Sequence, residues 1–208
     1  MTVRHLLLDA DDVLQVGTIG FRPALAEVLG EDPGEWLRDT FRPEGEVLTG
    51  RLEVVPLLAE RLRALGRDHD AQQVYERIWL AIEPDPEMVA QVGRWRAAGL
   101  SVHLATNQDS GRAAYMKESL PYAEILDGSY YSSDLGVAKP EAGFFGTILD
   151  DLGADPDQVC FIDDMATNVA GARDVGLRAV QWELADGLPT LQSRMAAVGV
   201  RTGWPGTP

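Results

Sequence analysis

The chain has 208 residues, 45% hydrophobic and 25% charged, which fits one folded domain or one domain with a modest insertion and excludes wholesale disorder. Thirty-three acidic residues against eighteen basic give a net charge of −15, which argues against general nucleic-acid binding and against an electrostatic membrane anchor. No stretch approaches the ~18 consecutive apolar residues of a helical membrane span, and the lone Cys160 excludes an internal disulfide or a multi-cysteine zinc site. The apolar run before Asp9 is too short for a signal peptide, so the expected setting is the cytosol.

Val3, Leu6, Leu7 and Leu8 form a short apolar run ending at an acidic cluster, the pattern of a buried parallel strand. Residues 86–98 have helical spacing and reach a capping Gly99. A strand over 100–105 follows, then the polar run Thr106, Asn107, Gln108, Asp109 and Ser110. Next come a helix over 110–120, a short strand over 128–131, and a helix over 141–152 closed by Gly153. A strand over 159–162, a helix over 167–175 stopped by Gly176, and a strand over 178–182 complete the series. Strands alternating with helices at this spacing predict an α/β fold with a doubly wound parallel sheet covered on both faces.

Residues 15–83 interrupt that rhythm. Amphipathic helices are expected over 53–65 and 71–82, with no strand between them, and Pro23, Pro33, Pro43, Gly45 and Gly50 punctuate the approach. The division that follows is an α/β core over 1–14 and 84–199, a small α-helical insertion over 15–83, and a loosely ordered Gly/Pro-rich tail over 200–208.

In a parallel α/β sheet, ligands bind outside the carboxyl ends of the strands. Those ends carry Asp9, Asp11 and Asp12, then Thr106 and Asn107, then Asp163 and Asp164, with Lys139 and Pro140 ahead of a helix. So many carboxylates repel one another unless a cation neutralises them. Oxygen donors with no His or Cys beside them select Mg²⁺ over zinc. Lys139 stands out further because the basic residues are sixteen arginines and only two lysines.

Leu8, Asp9, Ala10 and Asp11 resemble the first motif of the haloacid dehalogenase superfamily, an apolar strand ending in Asp-x-Asp. Leu104 to Asn107 resemble the second motif, Lys139 and Pro140 the third, and Phe161 to Asp164 the fourth, all in order along nearly the whole chain. The stretch from Tyr131 to Glu141 further resembles the branch of sugar-phosphate phosphatases with a small helical cap, such as α-D-glucose-1-phosphate phosphatases. The resemblance implies a Rossmann-like core, the 15–83 insertion as cap, and a small phosphorylated metabolite as partner. It implies Asp9 as a nucleophile forming an aspartyl-phosphate, and Asp11 as general acid and then general base. Thr106, Asn107 and Lys139 would bind the phosphoryl group. Mg²⁺ would be held by the Asp9 carboxylate, the Asp11 carbonyl and Asp164, with Asp163 orienting a bound water. The expected activity is a Mg²⁺-dependent phosphatase acting on a small phosphomonoester such as a sugar phosphate. A phosphomutase using the same residues, or a binder of phosphorylated ligands without turnover, stays open as an alternative.

A dehalogenase needs neither Asp11 nor a metal. A phosphonate-cleaving enzyme needs a cap lysine, and 15–83 contains none. Asp12 departs from the Gly or Asn frequent at its position in the family; if φ is positive there, Asp tolerates it better than most residues. Asn168 belongs either to the acidic cluster or to a solvated helix face. Cys160 and the tryptophans at 79, 95 and 182 read as core, and Arg42 and Arg51 as exposed arginines near the cap tip.

Overall fold

The computed structural model describes residues 2–201 and 203. Its centre is a five-stranded, wholly parallel sheet made of β1 (His5–Leu8), β4 (Ser101–Thr106), β5 (Gly128–Tyr131), β6 (Val159–Asp163) and β7 (Arg178–Gln181), in spatial order β5-β4-β1-β6-β7. Leu8 lies level with Leu104 on one side and Ile162 on the other. The residues that end β1, β4 and β6 therefore emerge at one edge, and the chain's reversal of direction across the sheet falls beside β1, where such folds place their ligands.

Side chains alternate across each strand, so the sheet builds two cores. Leu6, Leu8, Val102, Leu104, Cys160 and Ile162 face one layer, formed by α5 (Pro86–Ala97), α6 (Ser110–Ser119), α7 (Tyr122–Ile125) and α11 (Leu188–Ala197). Leu7, Ala105 and Phe161 face the other, where α9 (Ala142–Leu152) and α10 (Ala166–Asp174) supply Phe144, Phe145, Ile148 and Val169. The helix signals act as expected. Asp85 caps α5 by accepting from the Met88 N–H at 2.8 Å, and Gly153 ends α9 at φ 56°, a conformation that costs glycine nothing.

A third hydrophobic cluster lies wholly within α1 (Phe21–Leu29), α2 (Gly34–Thr40), α3 (Val54–Ala64), α4 (Ala71–Trp79) and the turns between them. Two helices here escape the sequence pattern. Pro23 falls in the first turn of α1 and Pro33 caps α2, places where a helix has no internal acceptor for the missing N–H. The helix expected to reach 82 stops at Trp79, because Ile82–Pro84 forms β3, antiparallel to β2 (Gln15–Gly17). This three-residue ribbon carries the chain into and out of the helical segment. The turn Ser132–Leu135 (α8) and α11 were likewise unmarked in the sequence.

Val200 is buried, and the Gly203 carbonyl accepts from Gln91 Nε2 at 2.8 Å. Residues 202 and 204–208 of the expected tail lie outside the described residues. No described helix is long and apolar enough to cross a membrane.

Candidate active site

Asp9 follows β1 directly. Its Oδ1 accepts from the Ala10 N–H at 2.7 Å and lies 2.8 Å from Lys139 Nζ. Among the described residues nothing donates to its Oδ2. Lys139 is fully buried and also pairs with Asp163 at 2.6 Å. The chain's other lysine, Lys117, forms an exposed pair with Asp134 and sits over the Tyr131 ring at 4.9 Å. A compact ammonium fits between two carboxylates where the broader guanidinium fork does not.

Asp163 is itself fully buried and accepts hydrogen bonds from three groups. Its oxygens accept from Lys139, from the Met165 N–H at 2.8 Å, and from Asn168 Nδ2 at 3.0 and 3.1 Å. That places Asn168 in the cluster rather than on a solvated face. Asp9, Asp163 and Asp164 offer oxygens that all lie within 4.8 Å of one another. Burial pushes Asp9 up to about 7, with Asp163 and Asp11 adding to the shift and Lys139 opposing it. Burial and then Asp163 push Asp164 up to about 6. Lys139 is drawn the other way: burial alone would lower it, but Asp9 and Asp163 outweigh that and hold it above the ordinary lysine value. The cluster carries more negative charge than its one ammonium neutralises. It offers carboxylate oxygens and no His or Cys, so the donor set fits a hard divalent cation.

Thr106 ends β4, and its hydroxyl accepts from Gln108 Nε2 at 3.1 Å. Asn107 faces the loop that carries Lys139. Its Nδ2 donates to the Lys139 carbonyl and its Oδ1 accepts from the Lys139 N–H, each at 2.9 Å. This reciprocal pair leaves the Asn107 backbone N–H as the group available to a ligand, and fixes the lysine between its two carboxylates.

Asp11 departs from Asp9. Its carboxylate is gripped by Arg112 through both terminal nitrogens at 2.7 and 2.8 Å, by Gln15 Nε2 at 2.8 Å and by Gln108 Nε2 at 3.0 Å. Burial alone would push this carboxyl up, but Arg112 and the two amides outweigh it and hold it below the usual carboxylate range. The grip extends outward, since the Tyr122 hydroxyl donates to Gln15 Oε1 at 2.5 Å. Asp12 adopts φ 58°, the left-handed conformation that Asp accepts.

Sequence reasoning missed Arg112, Gln108 and Gln15. Arg112 sits in the first turn of α6 and has no signal to separate it from fifteen other arginines. Asp109 caps α6 by accepting from the Arg112 N–H at 3.1 Å, and it also accepts from the Tyr75 hydroxyl of α4 at 2.5 Å. That bond ties the helical segment to the strand edge carrying Asn107. Arg51 donates to the Thr49 hydroxyl and Arg42 is exposed.

Residues 3–176 match the family model of haloacid dehalogenase-like hydrolases. The chain belongs to that family. This haloacid dehalogenase-like hydrolase is 28% identical over 195 residues to a phosphoglycolate phosphatase of Rhodospirillum rubrum, covering 85% of this chain and 78% of that one. It is 26% identical over 204 residues to bifunctional epoxide hydrolase 2 of Sus scrofa, covering 86% of this chain but only 36% of that protein's length. Its fold superimposes on a haloacid dehalogenase family enzyme of Bacteroides thetaiotaomicron, in complex with magnesium and inorganic phosphate. The TM-score is 0.72 at 19% identity, over 91% of this chain and 98% of that one.

Proposed function

We propose that this hydrolase is a Mg²⁺-dependent phosphatase that cleaves a small phosphomonoester through an aspartyl-phosphate on Asp9. The observation that carries the reading is the arrangement around Lys139. One buried ammonium holds one oxygen of Asp9 and leaves the other free, beside Asp163 and Asp164.

Asp9 and Asp164, with the Asp11 carbonyl, would hold the magnesium ion, and Asp163 would orient its water. Bound there, the ion neutralises charge on the phosphoryl oxygens and steadies their geometry. The chain's own residues do the rest. Asp9 Oδ2 attacks phosphorus as the ester P–O bond breaks, while the Thr106 hydroxyl, the Asn107 N–H and Lys139 take phosphoryl oxygens. The leaving alkoxide takes a proton from Asp11. Hydrolysis of the aspartyl-phosphate then needs Asp11 as a base, removing a proton from the attacking water. Arg112 holds Asp11 in place and in its ionised, basic form; the first step requires that it take up a proton from solvent. The α1–α4 segment serves as the cap over this chemistry.

The test is hydrolysis of p-nitrophenyl phosphate with and without Mg²⁺, wild type beside Asp9→Asn. Turnover that requires the metal and falls at least about a thousandfold in the variant supports the reading. Turnover that survives Asp9→Asn overturns it.

A further inference from the structure

A cavity of about 560 Å³ lies between the strand edge and the helical segment, within the size range of small-molecule sites. Its floor is polar and belongs to the site, with Asp11, Asn107, Gln108 and Arg112. Its wall is of the opposite kind. Phe21, Leu37, Phe41, Leu48, Ile78 and Trp79 line it, and no lining residue between 17 and 82 carries a charged side chain. Along that stretch Trp79 is the one lining residue whose side chain contains a polar atom. Trp79 belongs to the core of the helical segment, as the sequence suggested, and lines the cavity as well. It is held by Phe21 edge-on at 4.9 Å and by Tyr75 stacked at 5.6 Å.

We infer that the leaving group of the substrate is an apolar alcohol, an alkyl or aryl chain packed against this wall, and not a sugar. The inference rests on the phosphatase reading and names its substrate class. A sugar has several hydroxyls, and each one moved from water to this wall loses its hydrogen bonds without replacement. A hydrocarbon seated there loses nothing and removes apolar surface from water. The segregation of polar floor from apolar wall matches an amphiphile with phosphate at one end. It replaces the sugar phosphate suggested by the resemblance of Tyr131 to Glu141, residues that do not line the cavity.

The experiment measures phosphate release from n-alkyl monophosphates of two to eight carbons, from glycerol phosphate and from glucose 6-phosphate. Calorimetric binding of the matching n-alkylphosphonates, which cannot be hydrolysed, runs in parallel. The expected kcat/KM rises about fourfold per added methylene, the phosphonate affinities rise in step, and the glycerol and sugar esters fall below butyl phosphate. Phe41→Ser flattens both series. Turnover with a flat series, or with the sugar ester preferred, overturns the inference and leaves the phosphatase reading standing. A steep phosphonate series without turnover of any ester supports the apolar site and overturns the phosphatase reading. A flat phosphonate series without turnover overturns both.

Discussion

The strand edge and the helical segment are built on opposite principles. At the edge, charged groups are tied at fixed distances: Lys139 buried between Asp9 and Asp163, and the partly exposed Asp11 in the grip of Arg112, Gln15 and Gln108. In the helical segment, the interior is hydrocarbon and aromatic rings, with Trp79 at its centre. Directional bonds hold atoms to the tolerance that phosphoryl transfer needs, whereas non-directional packing shapes a surface that sorts ligands by polarity. On the proposed function, the difference gives reactivity to the strand edge and selectivity to the helices.

Removing the central cation gives the largest expected effect. Lys139→Met leaves Asp9 and Asp163 buried without a partner charge, and such a loss costs about 3–5 kcal/mol. Urea denaturation should show that loss together with abolished phosphate release. A variant of wild-type stability would break the claim that this edge is an electrostatic assembly.

The join between the regions is tested by Tyr75→Phe. It deletes the 2.5 Å bond to the buried Asp109, and hydrogen bonds to charged groups contribute about 1.5–3 kcal/mol. The expected outcome is that loss, with faster hydrogen exchange in α1–α4 than in the sheet. Uniform acceleration over both regions would show that they open as one unit.

Arg112→Gln separates positioning from stability. The Asp11 side chain is 41% exposed, so solvent screening limits the pair to about 1 kcal/mol of stability or less. Turnover should nevertheless fall about tenfold or more as Asp11 loses its fixed place. A change in Tm without a change in kcat would assign Arg112 to the fold alone.

The smallest effect sharpens the contrast from the core side, where a polar group is buried without a partner. His103 is 6% exposed, and among the described residues neither ring nitrogen has a hydrogen-bond partner. Burial, then His5, lowers its pKa below 6.5, against opposing pulls from Asp127 and Asp151. The unfolded chain therefore takes up a proton near pH 6.5 that the folded chain refuses, so stability is undiminished above 6.5 and falls as pH drops below it. The limit is about 1.4 kcal/mol per pH unit. His103→Phe should lose less stability than wild type between pH 7.5 and 5.5 in paired thermal melts. Equal losses would show that His103 does not carry the acid sensitivity.

The sheet and its acidic edge were legible because each buried strand is a short apolar run with an abrupt polar end, and Gly153 and Gly176 mark where helices must stop. The strand end itself moved by a residue or so: Thr106 and Asp163 are the last residues of β4 and β6 rather than the first beyond them. The ribbon of β2 and β3 was hidden because three residues are too few to show an alternation. α1 and α2 were hidden because proline at a helix start reads like proline in a loop.

The sequence by itself determined which chemical groups stand at the sheet's edge, since strand periodicity and strand ends are local properties carried within a few residues. Only the tertiary structure decided what those groups touch. Arg112 meets Asp11 across 101 positions, and Tyr75 meets Asp109 across 34. The apolar wall draws on α1, α2, α4 and the segments joining them. Such contacts arise from helix packing and sheet register, which bring distant residues together without leaving a pattern at either one.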